Sequence, residues 1–211
     1  MCMIVYKPFK VNNPQTSLLV RSWSMNEDGA GVSWRKENGK VNFRKGFFTL
    51  HSLLEFLEDS EFYNNPTDYE WAIHFRMATH GGRSRFHLHP FNISEDSDIM
   101  EVSGEEVDTV FHHNGVLSSS LYTIDHKDAR NLSDTMAFAE QYAKIAGADT
   151  MRKNAEIIGK GIGYNKFLVM DKDGTFIINK QMGCEVDGVW FSNYIRSHKI
   201  NYTHNDEFEI F

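Results

Sequence analysis

Apolar and polar positions alternate most clearly over residues 70–78, where Trp71, Ile73, Phe75 and Met77 point one way and Ala72, His74, Arg76 and Ala78 the other. That period of two predicts a strand. Residues 2–6 (Cys-Met-Ile-Val-Tyr) read as a short buried strand, 20–23 as another, and 32–34 resumes a strand after the turn Asp28-Gly29-Ala30-Gly31. Residues 40–43 and 46–48 look like strand pieces flanking a turn, and 108–112 is a strand ending at His113-Asn114-Gly115. Asn-Gly is a strong turn signal. Residues 166–170 and 175–179 form a hairpin around Asp171-Lys172-Asp173-Gly174, and 189–192 is a last short strand.

The period changes to that of a helix in three places. Leu50, Leu53, Leu54 and Leu57 recur at helical spacing behind Thr49, a good N-cap. Ser133 caps a helix running to about Ile145, with Phe138, Tyr142 and Ile145 on one stripe, and a second helix spans about 149–158. Gly159-Lys160-Gly161-Ile162-Gly163 follows a helix and precedes a strand. A nucleotide-binding loop needs the reverse order, so these glycines read as a helix stop. Strands at both ends around central helices predict an α+β fold with antiparallel sheets.

The chain has 211 residues, enough for one sizeable core, and residues 1–211 read as a single domain. Aromatics reach 13%, with 16 Phe, which favours sheet packing. The net charge of −7 argues against nucleic-acid and anionic-membrane partners, which need clustered cations. No apolar run approaches the ~18 residues of a membrane span, and no signal peptide is visible. The two cysteines, Cys2 and Cys184, make no disulfide framework, so the expected compartment is the reducing cytoplasm. Cys184 is expected to pack as a small buried hydrophobe.

Candidate chemistry starts at Met1-Cys2. Aminopeptidases remove Met1 when a small residue follows. The mature chain would then carry a thiol and a free α-amine on one residue, a nucleophile beside its own base. Arg76 is placed either to clamp a carboxylate bidentately or to make an ordinary ion pair. Asn114-Gly115 is either a plain hairpin turn or a pair of N–H donors for an oxyanion. Asp134 is either a helix cap residue or a carboxylate kept ionised at a helix start to hold an ammonium. Together these groups fit an α-amino acid with a side-chain amide, which describes glutamine. His87-Leu88-His89 and His112-His113 could offer metal ligands, but no acidic residue stands at a metal-motif spacing, and no metal is expected.

On these residues the chain resembles the class II glutamine amidotransferases, which have the N-terminal nucleophile hydrolase fold. The matching motifs are the Cys2 start, Asp28-Gly29-Ala30-Gly31, Arg76-Met77-Ala78-Thr79-His80-Gly81, His113-Asn114-Gly115 and Ser133-Asp134-Thr135. They run in the family's order over residues 2 to about 135. The stretch Gly188-Val189-Trp190-Phe191-Ser192-Asn193 looks like the closing strand of single-domain members. The resemblance implies a four-layer αββα sandwich of two antiparallel sheets between helices. It implies Cys2 as nucleophile, with Asn114 and Gly115 as the oxyanion hole. It also implies Arg76, Thr79 and His80 for the glutamine carboxylate and Asp134 for its ammonium. No cofactor is implied. Two positions depart from the family pattern: Met136 stands where members often have Glu, and Met77 where large members have Trp. Members usually pass ammonia to a synthase domain, and 211 residues leave no room for one. The implied ammonia acceptor is therefore a separate synthase protein. The alternatives are a stand-alone amidohydrolase acting on another γ-glutamyl or amino-acid amide, and a non-catalytic binding protein of the same fold.

Overall fold

The computed structural model describes residues 2–78, 82–124 and 129–195. Eleven strands among them form two antiparallel sheets. In chain order they are β1 (Met3–Lys7), β2 (Ala30–Lys36), β3 (Val41–Phe47), β4 (Tyr69–Phe75), β5 (Phe91–Asn92), β6 (Ser103–Val107), β7 (Thr109–Asn114), β8 (Lys166–Asp171), β9 (Gly174–Ile178), β10 (Cys184–Val186) and β11 (Val189–Phe191). The larger sheet has the order β10-β11-β1-β4-β2-β3-β6, and the smaller β5-β7-β8-β9. The helices are α1 (Thr16–Ser24), α2 (Leu50–Asp59), α3 (Glu61–Asn64), α4 (Asp134–Phe138), α5 (Lys144–Lys153) and α6 (Ala155–Ile162).

Strand alternation decides where the apolar groups go. On the larger sheet Val5, Trp71, Ile73 and Phe75 meet Leu19, Leu53, Leu57 and Phe62 of the first three helices. The opposite face presents Ile4, Phe43, Ala72 and Trp190 to Val110, Leu168 and Met170 of the smaller sheet. The far face of that sheet carries Phe111, Phe167 and Val169 against Met136, Met151 and Ile162 of the later helices. The architecture is α+β with two antiparallel sheets and several helices, compatible with a sandwich. Both faces of β4 are covered, so all seven of its residues are buried. Burying a side chain such as Leu53 or Leu57 stabilises the fold by about 1.5–3 kcal/mol.

Several local expectations need correction. Residues 20–23 belong to α1 and not to a strand, because Leu19 and Trp23, four apart, bury one helical face. The two pieces expected at 40–48 are one strand, β3, in which Gly46, at a positive φ of 109°, is passed over as the pairing with β2 shifts register. The helix capped by Ser133 does not run unbroken to Ile145. It passes through a π-helical turn at residues 139–143, and Gly147 interrupts α5 with φ 70° and ψ 161°. Of the stripe expected to be buried there, Phe138 is inside, but Tyr142 is 50% and Ile145 80% exposed, and Met136, Ala137, Ala139 and Ala143 fill the buried face instead. Cys184 is half-buried at the rim of the outer cluster, its thiol on the Asn193 carbonyl at 3.4 Å. The glycine run stops α6 at Gly163 ahead of β8, as its order predicts.

Candidate active site

Strand ends bring the chemistry together. β1 is flanked by β11 and β4, so Cys2, the residue before β1, sits beside the end of β4 where Arg76 and Met77 follow. The Cys2 thiol lies 3.5 Å from the Met77 carbonyl and accepts from the Met77 N–H at 3.4 Å. β7 ends at Asn114, and Gly115 turns the chain with φ 144°. α4 starts at Asp134, with Ser133 Oγ capping the Met136 N–H at 3.3 Å. Cys2, Arg76, Met77, His87, His89, His113, Gly115, Ser133, Asp134 and Thr135 line one cavity of about 20 Å³. That is room for about one water molecule. Larger clefts lie elsewhere, among them about 1130 Å³ along α2, β3 and β6, and about 470 Å³ among the helices after Asp134.

Each side chain is held by named partners. Arg76 Nη1 donates to the Gly82 carbonyl at 2.9 Å. Asp28 organises this stretch: one oxygen pairs with Arg83 at 2.6 Å and the other accepts from the Ala78 N–H at 2.6 Å. Asp134 accepts from the Leu117 N–H at 3.0 Å and the Thr135 N–H at 2.7 Å. Its carboxylate is therefore fixed between the loop after Gly115 and the first turn of α4. His87 bridges the walls, with Nδ1 on Ser84 Oγ at 2.7 Å and Nε2 donating to the Asn131 carbonyl at 2.8 Å. His87 lies in a short 3-10 turn and His89 stacks on His74, so the two do not share the strand face that their spacing suggests.

The Asn114 side chain reaches the residues that follow β11. Its amide donates to Ser192 Oγ at 2.7 Å and Asn193 Oδ1 at 3.2 Å, and Asn193 in turn donates to the Cys2 carbonyl at 2.7 Å. Asn114 thus reaches Cys2 through Asn193, while Gly115 reaches the cavity itself. Thr79 and His80, the other carboxylate binders expected from sequence, lie outside the described residues. So does Met1.

The electrostatics follow from burial. Burial pushes the Cys2 thiol above its ordinary value, opposed by the Met77 backbone hydrogen bond and the Arg76 charge, so the resting group is a thiol that needs a base. Burial lowers Arg76, with Cys2, Asp28 and Asp134 opposing. His74, His89 and His112 lie between the sheets near this end, all held neutral by burial. His74 is lowered to about 3, and the other two fall well below their ordinary value. Alternation explains the placement: His74 shares the inward face of β4 with Ala72, and His112 that of β7 with Val110. Ser33 Oγ meets His112 Nε2 at 2.8 Å across the gap. Among the described residues neither ring nitrogen of His89 has a hydrogen-bond partner, and one nitrogen each of His74 and His112 likewise has none. Among the described residues no group of three or more His, Cys, Asp or Glu is arranged to hold a metal ion.

Sequence reasoning weighed His87 only as a possible metal ligand, and it did not single out Asn165 or Asn193. Asn193 stood in a stretch already noted, but nothing in its spacing pointed back to residue 2. Comparison of the chain with protein-family models and with curated proteins finds no match.

Proposed function

We propose that this chain hydrolyses the side-chain amide of glutamine, with Cys2 as an N-terminal nucleophile. The observation that carries the reading is that Cys2, Arg76, Gly115 and Asp134, from four separated stretches, line one cavity. In this reading the chain is a class II glutamine amidotransferase with the four-layer αββα fold, working in a reducing cytoplasm.

The reaction requires Cys2 to be the first residue. Its α-amine takes the thiol proton and the sulfur attacks the amide carbon. The oxyanion forms beside the Gly115 N–H. As the C–N bond breaks, the amine returns the proton to the leaving nitrogen, which departs as ammonia. Water then hydrolyses the thioester, giving glutamate and restoring the thiol. Arg76 holds the substrate carboxylate and Asp134 its ammonium, which together orient the amide. Asn114 acts in this scheme through Asn193, which positions the Cys2 backbone. The ammonia passes to a separate synthase protein.

The test is glutamate release from glutamine by the mature protein and by Cys2→Ala, with N-terminal mass spectrometry on both. Release by the wild type that Cys2→Ala lacks is expected. Equal background release, from protein shown to begin at Cys2, refutes the proposal.

A further inference from the structure

We propose that His113 is a positioning residue that keeps Asp134 open to an ammonium by drawing the Thr135 hydroxyl away from it. The inference rests on the glutamine reading of the same cavity. Three hydrogen bonds carry the argument.

The Asn165 side-chain nitrogen donates to the Ile162 carbonyl at 2.6 Å, which turns its Oδ1 toward His113 Nε2, 2.8 Å away. An amide oxygen only accepts, so His113 must carry its proton on Nε2. The neutral ring then has a lone pair on Nδ1, and Thr135 Oγ1 stands 2.7 Å from it. Thr135 has one hydroxyl proton. The same Oγ1 also lies 3.3 Å from Asp134 Oδ1, so the proton serves either the imidazole or the carboxylate. The shorter contact assigns it to His113. Asp134 Oδ1 keeps the Thr135 N–H and retains acceptor capacity for a ligand. Burial lowers His113, which keeps the ring neutral near pH 7.

Gly115 belongs to the same device. A Cβ there would fall 2.0 Å from Asn165 Oδ1, so only glycine lets Asn165 sit beneath it. Asn165 thereby fixes the tautomer of His113 and packs closely against Gly115. One residue of β7 and the one just before β8 tie the oxyanion corner to the ammonium corner.

The experiment is a rescue. His113→Phe frees the Thr135 hydroxyl to turn onto Asp134, and the KM for glutamine should rise about tenfold with kcat changed less. Adding Thr135→Val removes the competing proton and should recover most of that rise. A purely structural role predicts further loss in the double variant, and that result overturns the proposal. If His113→Phe does not fold, Asn165→Leu releases the tautomer instead, with the same rescue by Thr135→Val expected. Nitrogen-15 spectra of the wild-type imidazoles, assigned through bonds to the backbone, test the tautomer without any turnover. A proton on Nε2 of His113 supports the device and a proton on Nδ1 overturns it. Wild type that releases no glutamate refutes the function reading, and the tautomer then decides this one.

Discussion

Acid should unfold this protein through the histidines trapped between its sheets. In an unfolded chain the imidazole of His74 takes a proton near pH 6.5; in the fold it does so only near pH 3. Above pH 6.5 both states are neutral and the stability is fully present. As the pH falls, the unfolded chain binds the proton and the folded one does not, so stability drops until about pH 3. At pH 5.0 the difference is about 1.5 pH units, or about 2 kcal/mol from His74 alone. His89 and His112 act in the same direction. Their rings are close, with His74 and His89 stacked at 3.9 Å and His74 and His112 at 6.2 Å, so charging one opposes charging the next. Against a typical total of about 5–15 kcal/mol, the His74 loss alone is a sizeable fraction by pH 5.

The assay is guanidinium unfolding at pH 7.5, 6.0 and 5.0, followed by tryptophan fluorescence. A loss of more than about 2 kcal/mol between the first and last is expected. His89→Phe provides the control. Among the described residues neither His89 ring nitrogen has a hydrogen-bond partner, so the substitution severs no hydrogen bond to them while removing one titrating group. It should flatten the pH dependence by about one proton. A stability that stays level from pH 7.5 to 5.0, or a His89→Phe profile identical to wild type, refutes the reasoning.

Three further outcomes are expected. Glu70→Ala leaves Arg35, only 5% exposed, without the carboxylate 2.5 Å away and Tyr6 without its acceptor, and should cost about 3–5 kcal/mol in chemical denaturation. Gly115→Ala forces its Cβ against Asn165 at a φ of 144° and should cost about 1–3 kcal/mol, with glutamate release falling more than the folded fraction measured by circular dichroism. In chain still carrying Met1, alkylation of Cys2 by iodoacetamide should keep accelerating beyond pH 9, because burial raises the thiol; a rate that levels off below pH 8, read by peptide mass spectrometry, contradicts that.

The elements with a strong period were legible in the sequence. β4 and the Thr49-capped α2 follow from alternation and leucine spacing alone. The first helix was not, because its apolar run Leu18-Leu19-Val20 carries no period by itself and is settled by which face meets the sheet. The Phe138, Tyr142, Ile145 stripe misled for a related reason: the π turn at 139–143 rotates Tyr142 and Ile145 off the face that buries Phe138. Within the candidate site, residues announced by turns and caps could be named, since Gly115 and Asp134 sit where local geometry demands those types. Asn165 and Asn193 could not. Each acts through long-range hydrogen bonds, and a lone asparagine in sequence carries no sign of its partners.

The bond from Asn193 to the Cys2 carbonyl spans 191 positions. β1 stands in the middle of its sheet and waits on both sides, for β4 and then for β11 near the end of the described chain. Contacts so distant in sequence form late, because the loops they close are long. The thiol can therefore meet Met77 while the chain is still short, but β11 and the Asn193 bond can brace Cys2 only after synthesis has passed Asn193.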